Sequence, residues 1–534
     1  MDAAPLELAL CSTFKDEPVL DCTIGGLLRD AARDYPDHDA LVEGRMDGTA
    51  GRRWTFAQLL AEAETLAGAL AARYEKGERV AVWAPNVPEW VVLEYAVALA
   101  GLTLVTVNPA FQARELDYVL RHSRASGLFL VKEFRGNPMA DIAAKVAGDL
   151  PDLREIVDLQ DKASMLGDKT APLPEVGTHD PAQIQFTSGT TGFPKGVLLS
   201  HRNLANNARF FVTTAQVAEY EPFLGLTPLF HTMGCAMAVL GALQLHAPYI
   251  PLLAFDPAAA VKLIAAEKVS GTICVPVMAQ ALIEAQKALN CDLSSLRVIG
   301  VGGAMVAPEL AKAVQDVLGA KVLVAYGQTE SSPLITSGRP DDSFEDISTT
   351  VGRPCLGCEV GIFDPATNEV VPVDVVGEVR SRSYATMLGY DNDPEATAET
   401  IDKNGWLLTG DLGTMDERGY VKITGRVKEM IIRGGENLFP AEIENVLMEH
   451  PDVAEAAIVG VPDAKWGEAV AAFIRPVAGA QMDAESLTAH CRAQLSGPKC
   501  PAHWTQVESW PLTGSGKIQK FALRDQWVKD AAAN

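Results

Sequence analysis

A chain of 534 residues is too long for one ordinary core and calls for at least two domains, and 48% hydrophobic with 21% charged residues excludes a disordered polymer. The formal net charge of −24 argues against nucleic acid or an anionic membrane as a bulk partner. It also means that any site for a polyanion must be locally electropositive against the field of the whole molecule.

The N-terminal run MDAAPLELAL has no basic residue ahead of its apolar stretch, so no signal peptide is expected. Nine scattered cysteines read as reduced thiols of a cytoplasmic protein. Cys355 and Cys358 form a CxxC without a second pair at zinc spacing, which reads as a turn with two small apolar residues. Phe56–Tyr74 is an Ala-rich amphipathic helix, and Arg79–Trp83, Thr103–Val107 and Gly127–Val131 are short β-branched strands. Trp90 to Val107 is the longest apolar stretch; Glu94 and Gly101 interrupt it, so it reads as a buried helix entering a strand and no integral membrane segment is expected. Pro257–Lys268 is a second such helix, and Thr272–Pro276, Val298–Val301 and Lys321–Ala325 are further strands. The alternation predicts an α/β fold with mainly parallel sheets. From about Val360 to Ile423 short strands with Asn404-Gly405 and Arg418-Gly419 turns predict a β-rich subdomain. A small α+β unit follows: helices over Glu442–His450 and Ala484–Leu495, strands over Val453–Val459 and Ala469–Arg475. The expected division is a large N-terminal domain over 1–425, a hinge at 426–428 and a small domain over 429–534.

The densest chemistry lies in Phe186–Gly196, where eleven positions hold three glycines, four hydroxyl residues and Lys195. Glycines let backbone N–H groups close on an anion, and each charge-assisted bond to phosphate contributes roughly 1.5–3 kcal/mol. It is not a Walker A loop, because Gly196 rather than Ser or Thr follows the lysine. A flexible surface turn would need neither the lysine nor so many donors.

Thr187–Gly196 resembles the phosphate-binding signature of the adenylate-forming superfamily, which includes acyl-CoA synthetases, firefly luciferase and the adenylation domains of peptide synthetases. The other motifs follow in that family's order. Tyr326-Gly327-Gln328-Thr329-Glu330 resembles the adenine segment, whose glutamate holds Mg²⁺. Val301-Gly302-Gly303-Ala304 resembles the adenine and acyl-pocket loop, and Thr409-Gly410-Asp411 the ribose turn. Gly425-Arg426-Val427-Lys428-Glu429 resembles the hinge, followed by Gly434-Gly435; Glu429 stands where many relatives have Asp. Pro511–Lys517 resembles the segment of the catalytic lysine. The resemblance spans roughly Thr23 to Arg524.

It implies a ligase that forms an acyl-adenylate from ATP and a small-molecule carboxylic acid and passes the acyl group to coenzyme A. Thr187, Ser188, Gly189, Thr190, Thr191, Gly192 and Lys195 would hold phosphates; Gly303, Ala304, Tyr326, Gly327 and Thr329 the adenine; Asp411 and Arg426 the ribose. Glu330 would carry Mg²⁺, and Lys195 and Lys517 would offset charge as an anionic carboxylate meets an anionic phosphate. His231 is a packed core residue on its own signal; the resemblance makes it a catalytic acyl-site residue. His231, Met233, Met237, Val301, Gly302 and Gly327 would line the acyl pocket, with Lys428 the hinge residue and Gly434, Gly435, Trp466 and Lys499 facing coenzyme A.

Leu229–Thr232 lacks the acid that amino-acid-activating relatives use, and Gly327 leaves room where acetate-type relatives carry Trp. The small, pliable Met233–Val239 segment suits a medium- or long-chain fatty acid or another bulky apolar acid, and leaves aryl and polycyclic acids open. A homodimer and a carrier protein acting in trans also stay open, and motifs alone do not separate a luciferase-like oxidation. A degenerate ligand-binding scaffold would have lost Glu330 or Lys517, and both are present.

Overall fold

In a computed structural model, residues 5–14, 17–167, 169–187, 194–304, 306–434, 436–511 and 518–533 are described. The chain forms an α/β fold of four sheets, three in a large N-terminal domain and one in a small C-terminal domain. Ser188–Gly192, Gly435 and Lys517, all expected in the site, lie outside the described residues.

Helices begin where local chemistry satisfies their first N–H groups. Thr55 and Gln58 close a capping box on Phe56–Ala71, Ser200 and Asn203 one on His201–Ala215, and Pro88, Pro257 and Pro276 occupy first helical turns. The apolar stretch Trp90–Val107 is the buried helix Pro88–Leu99 entering the strand Thr103–Val107, as its interruptions at Glu94 and Gly101 implied.

One seven-stranded sheet runs Gly389–Tyr390, Lys195–Ser200, Pro181–Thr187, Thr103–Val107, Arg79–Trp83, Gly127–Leu130, Glu155–Asp158. Its last five strands are parallel, and Lys195–Ser200 and Gly389–Tyr390 add antiparallel to one edge. The nine-stranded sheet has a parallel centre that includes Gly271–Cys274, Val298–Gly302 and Lys321–Tyr326. A hairpin, Asp39–Gly44 with Ala50–Thr55, extends its far edge. Buried Val, Leu and Ile side chains fill both cores, with aromatics in the first, the feature that makes parallel strands read as continuous apolar runs.

The β-rich subdomain is an antiparallel sheet in which Leu10–Ser12, from the far N-terminus, pairs with Cys358–Phe363. Its last strand, Val421–Arg426, leads through a single turn, Val427–Glu429, to Ile431–Arg433, the first strand of the C-terminal sheet. That sheet packs Val453–Asp463 on Gly467–Pro476, and Ile443, Leu447 and Leu487 of its helices close a separate core. No helix among the described residues is long and apolar enough to cross a membrane. No disulfide joins the nine cysteines, and the sulfurs of Cys355 and Cys358 are buried with raised pKa values, as a structural CxxC turn requires.

Candidate active site

Two clusters form around one short segment, Tyr326–Glu330. At its start the Tyr326 hydroxyl donates to Asp411 Oδ2 (2.8 Å), and Arg426 Nε lies 3.1 Å from Asp411 Oδ1. The sheet produces this meeting: Asp411 and Arg426 are register partners on adjacent antiparallel strands. Thr409 fixes the turn by donating to Val379 O (2.6 Å) and accepting from Asp411 N–H (3.1 Å), while Gly410 supplies a φ of +69°. Burial, reinforced by the Asp411 charge, pushes the Tyr326 hydroxyl far above its ordinary pKa, so it stays a donor.

At the other end Glu330 is half-buried, and its Oε1 accepts from the Tyr390 hydroxyl (2.7 Å). Lys195 Nζ sits 4.8 Å from the centroid of the same Tyr390 ring. Tyr390 thus ties the lysine that follows the expected phosphate loop to the carboxylate expected to hold Mg²⁺. Sequence reasoning missed it, because Gly389-Tyr390 reads as loop; only as edge partner of Leu198 and Val197 does it face the lysine. Beside it, a cleft of about 200 Å³ is lined by Tyr118, His122, Lys195, Tyr390 and Asp391. Asp391 pairs with Arg79 (2.6 Å), and its N–H donates to Gly196 O (2.7 Å), anchoring the strand that carries Lys195.

The helix His201–Ala215 holds the Glu330 turn from behind. Asn207 donates to Leu334 O (3.1 Å) and accepts from Leu334 N–H (3.2 Å); Asn203 donates to Tyr384 O, and Ser332 to Ala385 O (2.7 Å). These buried amides leave backbone carbonyls paired and the turn fixed.

Gly302 pairs with Ala325, which sets the loop Gly302–Ala304 beside Tyr326; Gly303 has φ +82°, and Ala304 is exposed. Thr187 ends its strand half-buried, and Thr329 is buried. His231 is exposed, contrary to the packed-core expectation, and its Nδ1 accepts from Met233 N–H (3.2 Å). Asn86 donates to Thr227 O and accepts from Leu229 N–H, and Thr106 donates to Phe230 O, so the turn carrying His231 is held on both sides.

The residues expected to line the acyl pocket have differing surroundings. Met237 and Val301 are 1% and 0% exposed and belong to closed cores. Gly327 does not merely leave room: a Cβ there would run into the Pro333 carbonyl oxygen, so the close approach of two backbones demands glycine. Met233 is half-buried at the start of the helix Met233–Leu240, which winds as a π-helix.

In the small domain Gly434 has φ +59°, and a Cβ on it would stand 2.9 Å from the Trp466 ring. Trp466 is 42% exposed between Arg433 and Lys465, both within cation–π range. Lys499 Nζ is bound to Glu442 (2.6 Å), and Lys428 is exposed in the linking turn.

Known proteins share this fold. Residues 28–391 match the family described as AMP-binding enzyme, and residues 442–517 its C-terminal domain. The chain is 37% identical to YngI of Bacillus subtilis, over 96% of this chain and 98% of that one. It is 36% identical to the mitochondrial medium-chain acyl-CoA ligase ACSF2 of Mus musculus, over 96% and 88%. Among solved structures, ATP-bound MatB from Rhodopseudomonas palustris superimposes with a TM-score of 0.82 at 29% identity, covering 95% of this chain and 99% of the other. The fatty acyl CoA synthetase of Mycobacterium tuberculosis gives 0.77 at 30% identity over 95% and 98%. The chain therefore belongs to the AMP-binding, adenylate-forming enzyme family, as an AMP-forming acid–CoA ligase.

Proposed function

We propose that this ligase uses ATP to activate a medium- or long-chain fatty acid, or another bulky apolar acid, and delivers it to coenzyme A. One observation carries the reading of the site: the Tyr326–Asp411–Arg426 and Lys195–Tyr390–Glu330 clusters lie at the two ends of a single five-residue segment. That spacing suits a nucleotide with its ribose at one end and its phosphates at the other.

In the first half-reaction a carboxylate oxygen of the acid attacks the α-phosphorus of ATP, and the bond to pyrophosphate breaks. Asp411 accepts from the ribose diol, while Arg426 and Tyr326 hold Asp411 in place. Thr187 through Gly192 and Lys195 bind the leaving phosphates, and Lys517 offsets charge at the reacting oxygens. Glu330 fits an ion that arrives with ATP. It offers one hard carboxylate oriented by Tyr390, which is what Mg²⁺ asks of a protein when phosphates and water supply its other ligands. In the second half-reaction the coenzyme A thiol loses its proton, its sulfur attacks the acyl carbon, and AMP leaves. Trp466, flanked by Arg433 and Lys465, suits a purine carrying phosphates, whereas Lys499 already has its charge matched by Glu442.

We assign residues 1–425 and 429–534 as the two domains and 426–428 as a hinge. Lys517 and the Gly434-Gly435 pair both lie beyond it, yet the two half-reactions need them at different times. The resemblance to ACSF2, named a medium-chain ligase, favours an aliphatic acid. An aryl acid is the second reading, since an anthranilate CoA ligase superimposes with a TM-score of 0.81 at 26% identity. Nine cysteines without a disulfide suit a reducing compartment, and we assign the cytoplasm.

The test is a panel of aliphatic and aryl acids with ATP, Mg²⁺ and coenzyme A, read by mass spectrometry of the thioester. Apolar acids of medium or long chain are expected to give the highest kcat/KM. Folded protein that released no pyrophosphate with any acid would refute the reading.

A further inference from the structure

Beneath the proposed acid site runs a chain of buried polar side chains that no step above uses. Glu94, in the middle of the apolar helix Pro88–Leu99, is 2% exposed. Its Oε1 accepts from Gln183 Nε2 at 2.7 Å, and its Oε2 is buried without a hydrogen-bond partner among the described residues. Gln185 Nε2 donates both to Gln183 Oε1 (2.8 Å) and to Cys235 Sγ (3.0 Å). Cys235 Sγ in turn lies 3.4 Å from Gln183 Oε1 and 3.4 Å from the backbone oxygen of His231. Burial raises the Glu94 carboxyl well above its ordinary pKa, which favours its neutral form.

The placement of these four residues is what matters. Gln183 and Gln185 lie on the strand Pro181–Thr187, and the period of two puts Thr187, the first phosphate residue, on their face. Cys235 lies on the π-helix Met233–Leu240, two residues past Met233 and four past His231. A π-helix is a rare, locally expanded winding that recurs at functional sites, and Gly234 lets this one press on the Pro228 carbonyl. A core filled with Leu and Val would hold these elements together without polar partners. A hydrogen-bonded chain does more: only one register of the helix against the strand satisfies it.

We propose that Glu94, Gln183, Gln185 and Cys235 are positioning residues for acid selection, which through Cys235 lock the π-helix, with His231 and Met233, in register with the strand that delivers Thr187. The inference rests on the assignment of His231 and Met233 to the acid site. It makes the accepted acid depend on residues that never touch it.

ATP–pyrophosphate exchange, with an acid that the unaltered enzyme activates, separates the possibilities through Cys235→Ala, Glu94→Leu, Glu94→Gln and Met233→Ala. Cys235→Ala and Glu94→Leu are expected to raise KM for the acid about tenfold, the scale of a displaced positioning element, with KM for ATP held within about twofold. Glu94→Gln keeps the acceptor for Gln183 and is expected to restore the acid KM. Met233→Ala is expected to shift chain-length preference directly. If Met233→Ala shifts preference while Cys235→Ala leaves both KM values unaltered, the chain is core packing and the inference falls. Equal loss in Glu94→Gln and Glu94→Leu overturns it too. If neither Met233→Ala nor Cys235→Ala affects the acid, the acid site itself is misassigned and the inference falls with it. Should Glu94→Leu fail to fold, Cys235→Ala decides, since it removes a single sulfur.

Discussion

His201 opens the helix that holds the Glu330 turn, and it is fully buried. Its Nδ1 accepts from Ile24 N–H at 3.4 Å, while its Nε2 is buried without a partner among the described residues. Burial, against a weaker opposing pull from Asp180, pushes its pKa from 6.5 down to about 4. The folded state therefore keeps the ring neutral while the unfolded chain takes up a proton as pH falls through 6.5. Stability is complete above that value and is lost progressively down to about pH 4, a linkage of about 2 kcal/mol at pH 5 and about 3 kcal/mol at pH 4. His201→Gln removes the titration without inserting a charge. Denaturant unfolding of both proteins at pH 7.5 and pH 5.0 measures the effect: the stability of the unaltered enzyme relative to the variant should fall by about 2 kcal/mol at the lower pH. A gap that stays constant between the two pH values would show that the ring is not held neutral, and would remove this cause of acid sensitivity.

Glu330→Gln should lower adenylation by about 10²-fold at limiting Mg²⁺ and recover in part at high Mg²⁺, read by pyrophosphate release across a Mg²⁺ titration; equal loss at every concentration would contradict the metal assignment. Asp411→Asn should raise KM for ATP roughly tenfold through the ribose contact while leaving the acid KM in place, since the loss is about one hydrogen bond to a charged acceptor. Gly327→Ala should destabilise by about 1–3 kcal/mol through the contact with Pro333 and leave acid preference unaltered, as measured by thermal unfolding and the acid panel. Lys428→Pro, which fixes φ in the linking turn, should slow one half-reaction far more than the other when each is assayed alone.

The α/β architecture is written in local signals. Continuous apolar strands, Ala-rich helices and Gly-bearing turns each declare themselves within about ten residues, so Thr103–Val107 or the Arg418-Gly419 turn can be read from neighbours alone. What escaped depends on distant partners. Leu10–Ser12 has no strand-like pattern and becomes a strand only by pairing with Cys358–Phe363, and Tyr390 reaches Glu330 only through a two-residue edge strand. The π-helix escaped for another reason: where nearly every residue is apolar, one extra residue per turn leaves no trace in the periodicity. Met237 and Val301 show the limit of motif transfer, since small or pliable apolar residues suit a core as well as a pocket. Of the site, Tyr326, Asp411, Arg426, Lys195 and Glu330 were legible as residues, but the hydroxyl that joins the last two was not.

The pairing of Leu10–Ser12 also orders events on the ribosome. Thr13 Oγ1 donates to Cys358 O, 345 positions later, so the outermost strand of the β-rich sheet is the first to be synthesised and waits for its partner. At roughly 5–20 residues per second that wait lasts on the order of 20–70 s, long after the first parallel sheet has all its strands but Gly389–Tyr390. A tag placed ahead of residue 5 leaves this closure untouched. Removal of residues 8–13 would instead leave the Cys358–Phe363 strand with an open hydrogen-bonding edge, an invitation to pair between molecules. Such truncated protein should associate in proportion to its concentration while the remote clusters around Tyr326 and Glu330 stay intact.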